Sequence, residues 1–156
     1  MALKEKLEKL KKLSEQNKEP DWAAYKDVWK NAVSELQNTI IHKWFHDYDE
    51  SGLMTFDIVP VKRFEPFIGE YLTTILEITL SENKFLVLEP ISGVTTEYDG
   101  KLEFYMRGNV YKKVSILRRI IDKKSHEWII AKSYDVKDHY KFDKQQLEKL
   151  IEEWLQ

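Results

Sequence analysis

The sequence predicts an α+β fold: N-terminal helices, one of them long and amphipathic, packed on a curved, mainly antiparallel meander sheet of about six strands, with a C-terminal helix. Three observations predict it. Trp22, Tyr25, Trp29, Val33, Leu36, Ile40 and Trp44 recur at helical spacing, whereas Leu53 to Ser133 alternates like strands. Helical and strand patterns also come in blocks, which sets the chain apart from a doubly wound nucleotide-binding sheet.

Each element has its own local signals. Leu3, Leu7, Leu10 and Leu13 sit among Lys and Glu, with Glu5 to Lys9 and Glu8 to Lys12 at the i,i+4 spacing that supports a helix. Two heptads are too few for an independent coiled coil, so this helix packs on its own domain or on something else. Lys18-Glu19-Pro20-Asp21 interrupts it, because proline disfavours helix in the residue before it and Asp21 can cap the next helix. That second helix is expected over 21–48, with Lys26, Lys30, Glu35, Asn38 and His42 on its wet face. The sheet spans 53–134. Pro60 suggests an edge strand or a bulge. Tyr71 to Leu80 and Lys84 to Ile91 form a hairpin in which Leu80 faces Phe85, Ile78 faces Val87 and Leu76 faces Glu89. Asp99-Gly100 and Gly108-Asn109 read as tight turns on either side of Lys101 to Arg107. Tyr111 to Asp122 returns as Glu127 to Ser133. A last helix over 143–156 has Asp143 as its cap, Gln146 three residues on, and Phe142 placed to staple onto Leu147.

Composition sets the limits. With 156 residues, of which 42% are hydrophobic, a single domain can bury roughly 70% of its unfolded surface. Five Trp, eight Tyr and seven Phe supply apolar area against chain entropy, although residues 1–19 are expected to be more loosely attached. The absence of cysteine excludes disulfides, a thiolate nucleophile and cysteine-based metal sites. No apolar run approaches the ~20 residues of a membrane span, and the charged start lacks a secretory core, so the cytoplasm is the expected setting and no membrane is involved. The net charge of −2 is unevenly spread. Residues 47–100 hold 11 acidic against 3 basic side chains, and residues 101–141 hold 5 against 11. Neighbouring strands of opposite sign neutralise one another, or the surface has two poles that steer a charged partner.

Several groupings carry candidate chemistry. Asp47-Tyr48-Asp49-Glu50-Ser51-Gly52 matches the first half of a calcium loop, but Ile58 stands where the bidentate Glu is needed. His42 and His46, four apart, with Asp47 and Asp49 nearby, are the candidate metal ligands, without the Glu of a zincin motif. Trp29, Trp44, Glu89 and Arg118 are candidates to line a ligand pocket between helix and sheet, with Glu89 and one of the neighbours Arg118 and Arg119 pointing to the same core; the alternative is that Glu89, at the strand end before Pro90, reaches solvent. Tyr105, Arg107, Tyr111, Lys112, Lys113, Arg119, Lys123 and Lys124 combine cations with aromatic faces, as single-strand nucleic-acid platforms do. The pI near 6.1 is not that of a dedicated nucleic-acid binder. No nucleophile elbow, P-loop or dinucleotide glycine pattern is present, and no cofactor is implied.

The expectation is therefore a non-catalytic protein-binding domain, in the manner of an adaptor, antitoxin or immunity-like partner protein. Its alternatives are small-molecule binding between helix and sheet and nucleic-acid binding through the basic hairpins. A homodimer through the N-terminal helix fits the leucine stripe.

Overall fold

The computed structural model describes residues 2–16, 21–81 and 83–156, with the backbone alone for 12–16. The expected break at Lys18-Glu19-Pro20, the Lys12 and Leu13 side chains and Glu82 lie outside the described residues. Helix α1 is Leu3–Gln16 and α2 is Trp22–Thr39, followed by a π-helical turn at Ile40–Trp44 and the short α3 at His46–Glu50. Among the described residues seven strands come next: β1 Thr55–Glu65, β2 Gly69–Ser81, β3 Lys84–Ser92, β4 Lys101–Met106, β5 Lys113–Asp122, β6 Ser125–Ala131 and β7 His139–Lys141. Helix α4, Lys144–Trp154, closes the chain. The α+β class is as expected. The sheet has one strand more than the six, because three residues of β7 are too few to show a period.

All seven strands pair antiparallel in sequence order, so the sheet is an open meander with β1 and β7 at its edges. Pro60 stands within edge strand β1, where a residue without an N–H blunts pairing with another chain. Helices α2 and α4 contribute to one core with the sheet. Trp29, Val33, Leu36 and Ile40 of α2 and Leu147, Leu150, Ile151 and Trp154 of α4 are buried with Leu76, Leu88, Leu102, Phe104, Ile116 and Ile130. Each such Leu, Ile or Val contributes about 1.5–3 kcal/mol by leaving water.

Both caps form as read from the sequence. Asp21 accepts from the Ala24 N–H at 3.1 Å, and Asp143 accepts from the Gln146 N–H at 2.9 Å. The long second helix is not continuous to Tyr48. The Phe45 N–H bonds five residues back to the Ile40 carbonyl at 2.9 Å, and this wide turn buries both Ile40 and Ile41 before the chain bends at Phe45.

The β2–β3 register also differs from the expected one. Ser81 faces Lys84 as expected, but an irregularity between Thr79 and Ser81 shifts the rest by one residue, so Ile78 faces Leu86 and Leu76 faces Leu88. A one-residue slip exchanges faces. Leu86 and Leu88 therefore point to the helices, and Phe85, Val87 and Glu89 to the opposite, outer face.

The β1–β2 hairpin changes its buried side along its length. In β2 the even residues Leu76 and Ile78 are buried, but nearer the tip the odd residues Tyr71 and Thr73 are. The register is unbroken through this change, which falls where Thr74 and Ile75 face Pro60 and Val59. Strand twist accumulated over a long hairpin turns one face into the other. At the tip Phe64 and Leu72 consequently stand in solvent.

Asp99-Gly100 is not a tight hairpin turn. It ends a long connection after β3, and its glycine seats the Trp29 ring. The second expected tight turn is also a longer connection, Arg107 to Lys112: Gly108 has φ +83, but Asn109 does not have a positive φ and instead accepts from the Tyr111 N–H at 3.0 Å.

Candidate functional site

The outer face of β4, β5 and β6 carries an open hollow of about 720 Å³. Register places its floor: Lys101 faces Leu117, Glu103 faces Ser115, and Ser115 faces Ala131. Three connections wall it, contributing Thr95 to Tyr98, Val110, and Lys132 to Tyr134. Tyr98 packs over Leu117, Ile129 and Ala131, a small second core on this face. His139 closes one side, its Nδ1 3.5 Å from the Tyr98 hydroxyl and its Nε2 3.1 Å from the Ser133 carbonyl oxygen. On the rim Val110 is 84% exposed and Tyr134 wholly exposed, and Tyr111 and Val136 on the same two connections are also exposed.

Ser133, Asp138 and His139 lie close together but are not wired for nucleophilic catalysis. The Ser133 hydroxyl donates to Asp138 at 2.6 Å, and the imidazole meets the Ser133 backbone in place of its hydroxyl. A triad needs the histidine between the two.

The wall formed by residues 93–99 is anchored from the helix side of the sheet. The Tyr25 hydroxyl contacts the Gly93 carbonyl at 2.6 Å and the Asp99 carbonyl at 2.9 Å, tying both feet of the arch to α2. Arg118, 1% exposed, donates from Nε to the Asp99 carbonyl at 3.0 Å, and its guanidinium lies 5.7 Å from the Trp29 ring centroid and 5.9 Å from that of Tyr25. No carboxylate among the described residues pairs directly with it, so two aromatic faces, the Asp99 carbonyl and the Tyr25 hydroxyl carry the stabilisation of this buried cation. Buried Glu65 completes the footing. It accepts from Tyr71, from the Ser92 hydroxyl at 2.8 Å and from the Gly93 N–H at 2.9 Å, while the Trp29 indole N–H donates to Tyr71 at 3.3 Å.

The four residues expected to line a helix–sheet pocket are not gathered at one cavity. Trp29 and Arg118 are packed together in the core, and Trp44 stacks edge-on with Phe142 at 5.3 Å. Glu89 does not face that core with Arg118, for the register reason above. It lies on the outer face, bound by Arg63 at 2.5 Å and by the Tyr105 hydroxyl at 3.0 Å.

The candidate cationic platform is distributed and largely engaged. Arg107 pairs with Glu77 at 2.6 Å, Lys113 with Glu103, and Arg119 with Glu127 at 3.3 Å. Lys112 donates to the Trp154 carbonyl. Lys113 also lies 6.0 Å from the Tyr105 ring centroid. Tyr111 is exposed on the β4–β5 connection, and Lys123 and Lys124 are exposed at the distant β5–β6 turn. Of these pairs only Arg107–Glu77 joins the acidic and basic stretches of the chain; the others neutralise charge within a stretch.

His42 lies within the π-helical turn and His46 at the start of α3, beyond the bend at Phe45, which alters the face relation that four-residue spacing has in an α-helix. His46 Nε2 lies 3.1 Å from Glu50, and Asp47 and Asp49 are exposed. Among the described residues no three His, Cys, Asp or Glu side chains are grouped to hold an ion. No helix there is long and apolar enough to cross a membrane.

Titration reflects the same contacts. Burial and the Glu89 hydrogen bond push Tyr105 up to about 12, and burial with the Glu65 hydrogen bond raises Tyr71 further. Burial raises Tyr25 against the opposing pull of Arg118. Burial and then the Arg118 charge lower His126. The hollow and the Tyr25–Arg118 anchor escaped sequence reasoning. Tyr134 lies in the turn-rich Ser133-Tyr134-Asp135, where a large aromatic among turn formers is the available signal.

Comparison with protein-family models, with curated proteins and with solved structures gives no match. What the fold and site define is a class: an α+β chain whose antiparallel meander is covered by helices on one face and hollowed between loops on the other.

Proposed function

We propose that this chain is a non-catalytic protein-binding domain and that its partner seats on the outer-face hollow. The observation that carries the reading is the pair Val110 and Tyr134, exposed on two different loops at the edge of one hollow. Large apolar and aromatic side chains around a concave centre are what interface hot spots use. The arch of residues 93–99 is held at both feet before any partner arrives, so little ordering entropy opposes docking. The carboxylate partners of Arg107, Lys113 and Arg119 weigh against a phosphate backbone as the occupant. A cytoplasmic setting and an adaptor-like or immunity-like role belong to the same proposal.

The test is capture by the tagged chain from lysate of its source, with and without nuclease, in parallel with Val110→Asp and Tyr134→Asp. The reading expects a stoichiometric protein that survives nuclease and is lost with either substitution. Retention by both variants sinks the hollow as the docking site. A nuclease-sensitive eluate replaces protein binding with nucleic-acid binding.

A further inference from the structure

The meander ends in two open edges, and they differ. Strand β1 has a proline at its middle, whereas β7 has none and borders the hollow through His139. The ladder shows where the β7 backbone points. The Lys132 N–H donates to the Asp138 carbonyl at 3.1 Å, and the Phe142 N–H to the Trp128 carbonyl at 2.9 Å. Hydrogen-bonded pairs alternate along an antiparallel ladder, so Ile130 and Tyr140 form the pair between these two, and His139 and Lys141 turn their main-chain groups away from β6. The His139 N–H folds back onto the Val136 carbonyl. The His139 carbonyl, the Lys141 N–H and the Lys141 carbonyl have no partner among the described residues.

Side chains distinguish the two sides of this edge. His139 and Lys141 lie on the outer face, in register with Ala131 and Ile129 of its small core. Tyr140 lies on the helix side, 41% exposed, with the Lys132 ammonium 5.5 Å from its ring centroid. Lys141 is exposed and takes part in none of the ion pairs among the described residues.

We infer that the partner adds one short extended segment to β7, so that the sheet continues into the partner beside the hollow. This deepens the docking proposed above and rests on it. The free main-chain groups supply the bonds that strand addition uses, and the flanking side chains supply specificity. At its His139 end the added strand meets the side of the hollow that this imidazole closes. Cross-strand pairing also states what the segment carries. A carboxylate belongs opposite Lys141 on the outer face, and the adjacent residue, on the other face, is an apolar one opposite Tyr140. Strand β7 has only three residues, which suits a short linear segment better than the edge of a second sheet.

A random-peptide library displayed on phage and selected on the full chain tests the inference. The wild type should enrich peptides in which an acidic residue adjoins an apolar one. A synthetic copy of an enriched peptide should slow amide exchange at Lys141 at least about tenfold. Lys141→Pro removes the outward donor but no bond to β6, so it should weaken that peptide at least about tenfold at an unchanged thermal midpoint. Lys141→Thr keeps the N–H and loses only the charge, so it should weaken the peptide by no more than about fivefold. If Lys141→Pro lowers the midpoint, exchange at Lys141 in the wild type decides alone. Binding that survives Lys141→Pro but is lost with Val110→Asp or Tyr134→Asp overturns strand addition and keeps the hollow as the docking site. No enrichment, or no slowing at Lys141, overturns strand addition as well, and the lysate capture above then judges the hollow by itself.

Discussion

The Trp29 indole lies directly against Gly100: a Cβ there would meet Cε3 and Cη2 at 2.8 Å and Cζ3 closer still. Gly100 also has φ +145, outside the range of L-residues. Gly100→Ala should therefore cost about 3 kcal/mol through overpacking and backbone strain together. Gly108 has φ +83 but no atom within 4 Å, so Gly108→Ala should cost only about 1 kcal/mol. Urea denaturation of both variants checks the contrast, and equal losses would show that the Trp29 seat does not matter.

Tyr25 ties the arch beside the hollow to the long helix. Tyr25→Phe removes both carbonyl contacts and should destabilise the chain by about 1–3 kcal/mol. Amide exchange at Thr95 and Tyr98 should quicken by more than the global loss of stability accounts for. Unchanged local exchange would mean that Arg118 and Glu65 hold the arch unaided.

His126 makes stability depend on pH in the acid direction. Burial and the Arg118 charge lower its folded-state pKa, so between that value and the ordinary 6.5 the unfolded chain binds the extra proton. The contribution is present above pH 6.5 and is lost as pH falls through the folded value. His126→Gln should flatten the part of the stability profile below pH 6.5, as read from denaturation midpoints across the range.

Tyrosines act at the other end of the scale. Tyr25, Tyr48, Tyr71 and Tyr105 all have raised pKa values, Tyr105 reaching about 12. The unfolded chain loses these phenolic protons first, so their contribution is present below pH 10 and is lost as pH rises through the folded values. Ultraviolet titration should show these four tyrosines ionising late, with alkaline unfolding steepest above pH 10. Tyr105→Phe should remove one late group without shifting the others.

The charge ladder on the outer face shows how partial the view from sequence is. Glu89 and Glu103 face each other directly across β3 and β4, a repulsive pairing. Each carboxylate is drawn to a different cation, Glu89 to Arg63 and Glu103 to Lys113. Composition suggests that the acidic and basic stretches neutralise one another, yet each of these two pairs lies within one stretch. Which cation serves which carboxylate is not legible in the sequence, because Arg63 reaches Glu89 from a strand two places away in the sheet.

Local signals in the chain were enough for the α+β class, the order of the helices and most strands, and the caps at Asp21 and Asp143; they narrowed Pro60 to an edge strand or a bulge, and the strand order chose the edge. These depend on side-chain period, backbone propensity and hydrogen bonds three residues apart. Packing was needed to turn Glu89 outward, to bury Arg118 among aromatic rings, and to switch the buried side of the β1–β2 hairpin near Pro60. Each is set by one irregular residue, by accumulated twist, or by contacts such as Tyr25 with Asp99, 74 positions apart. A one-residue slip or a slow rotation of the strand leaves the hydrophobic period unchanged, and only the packing of distant segments fixes which face is inside.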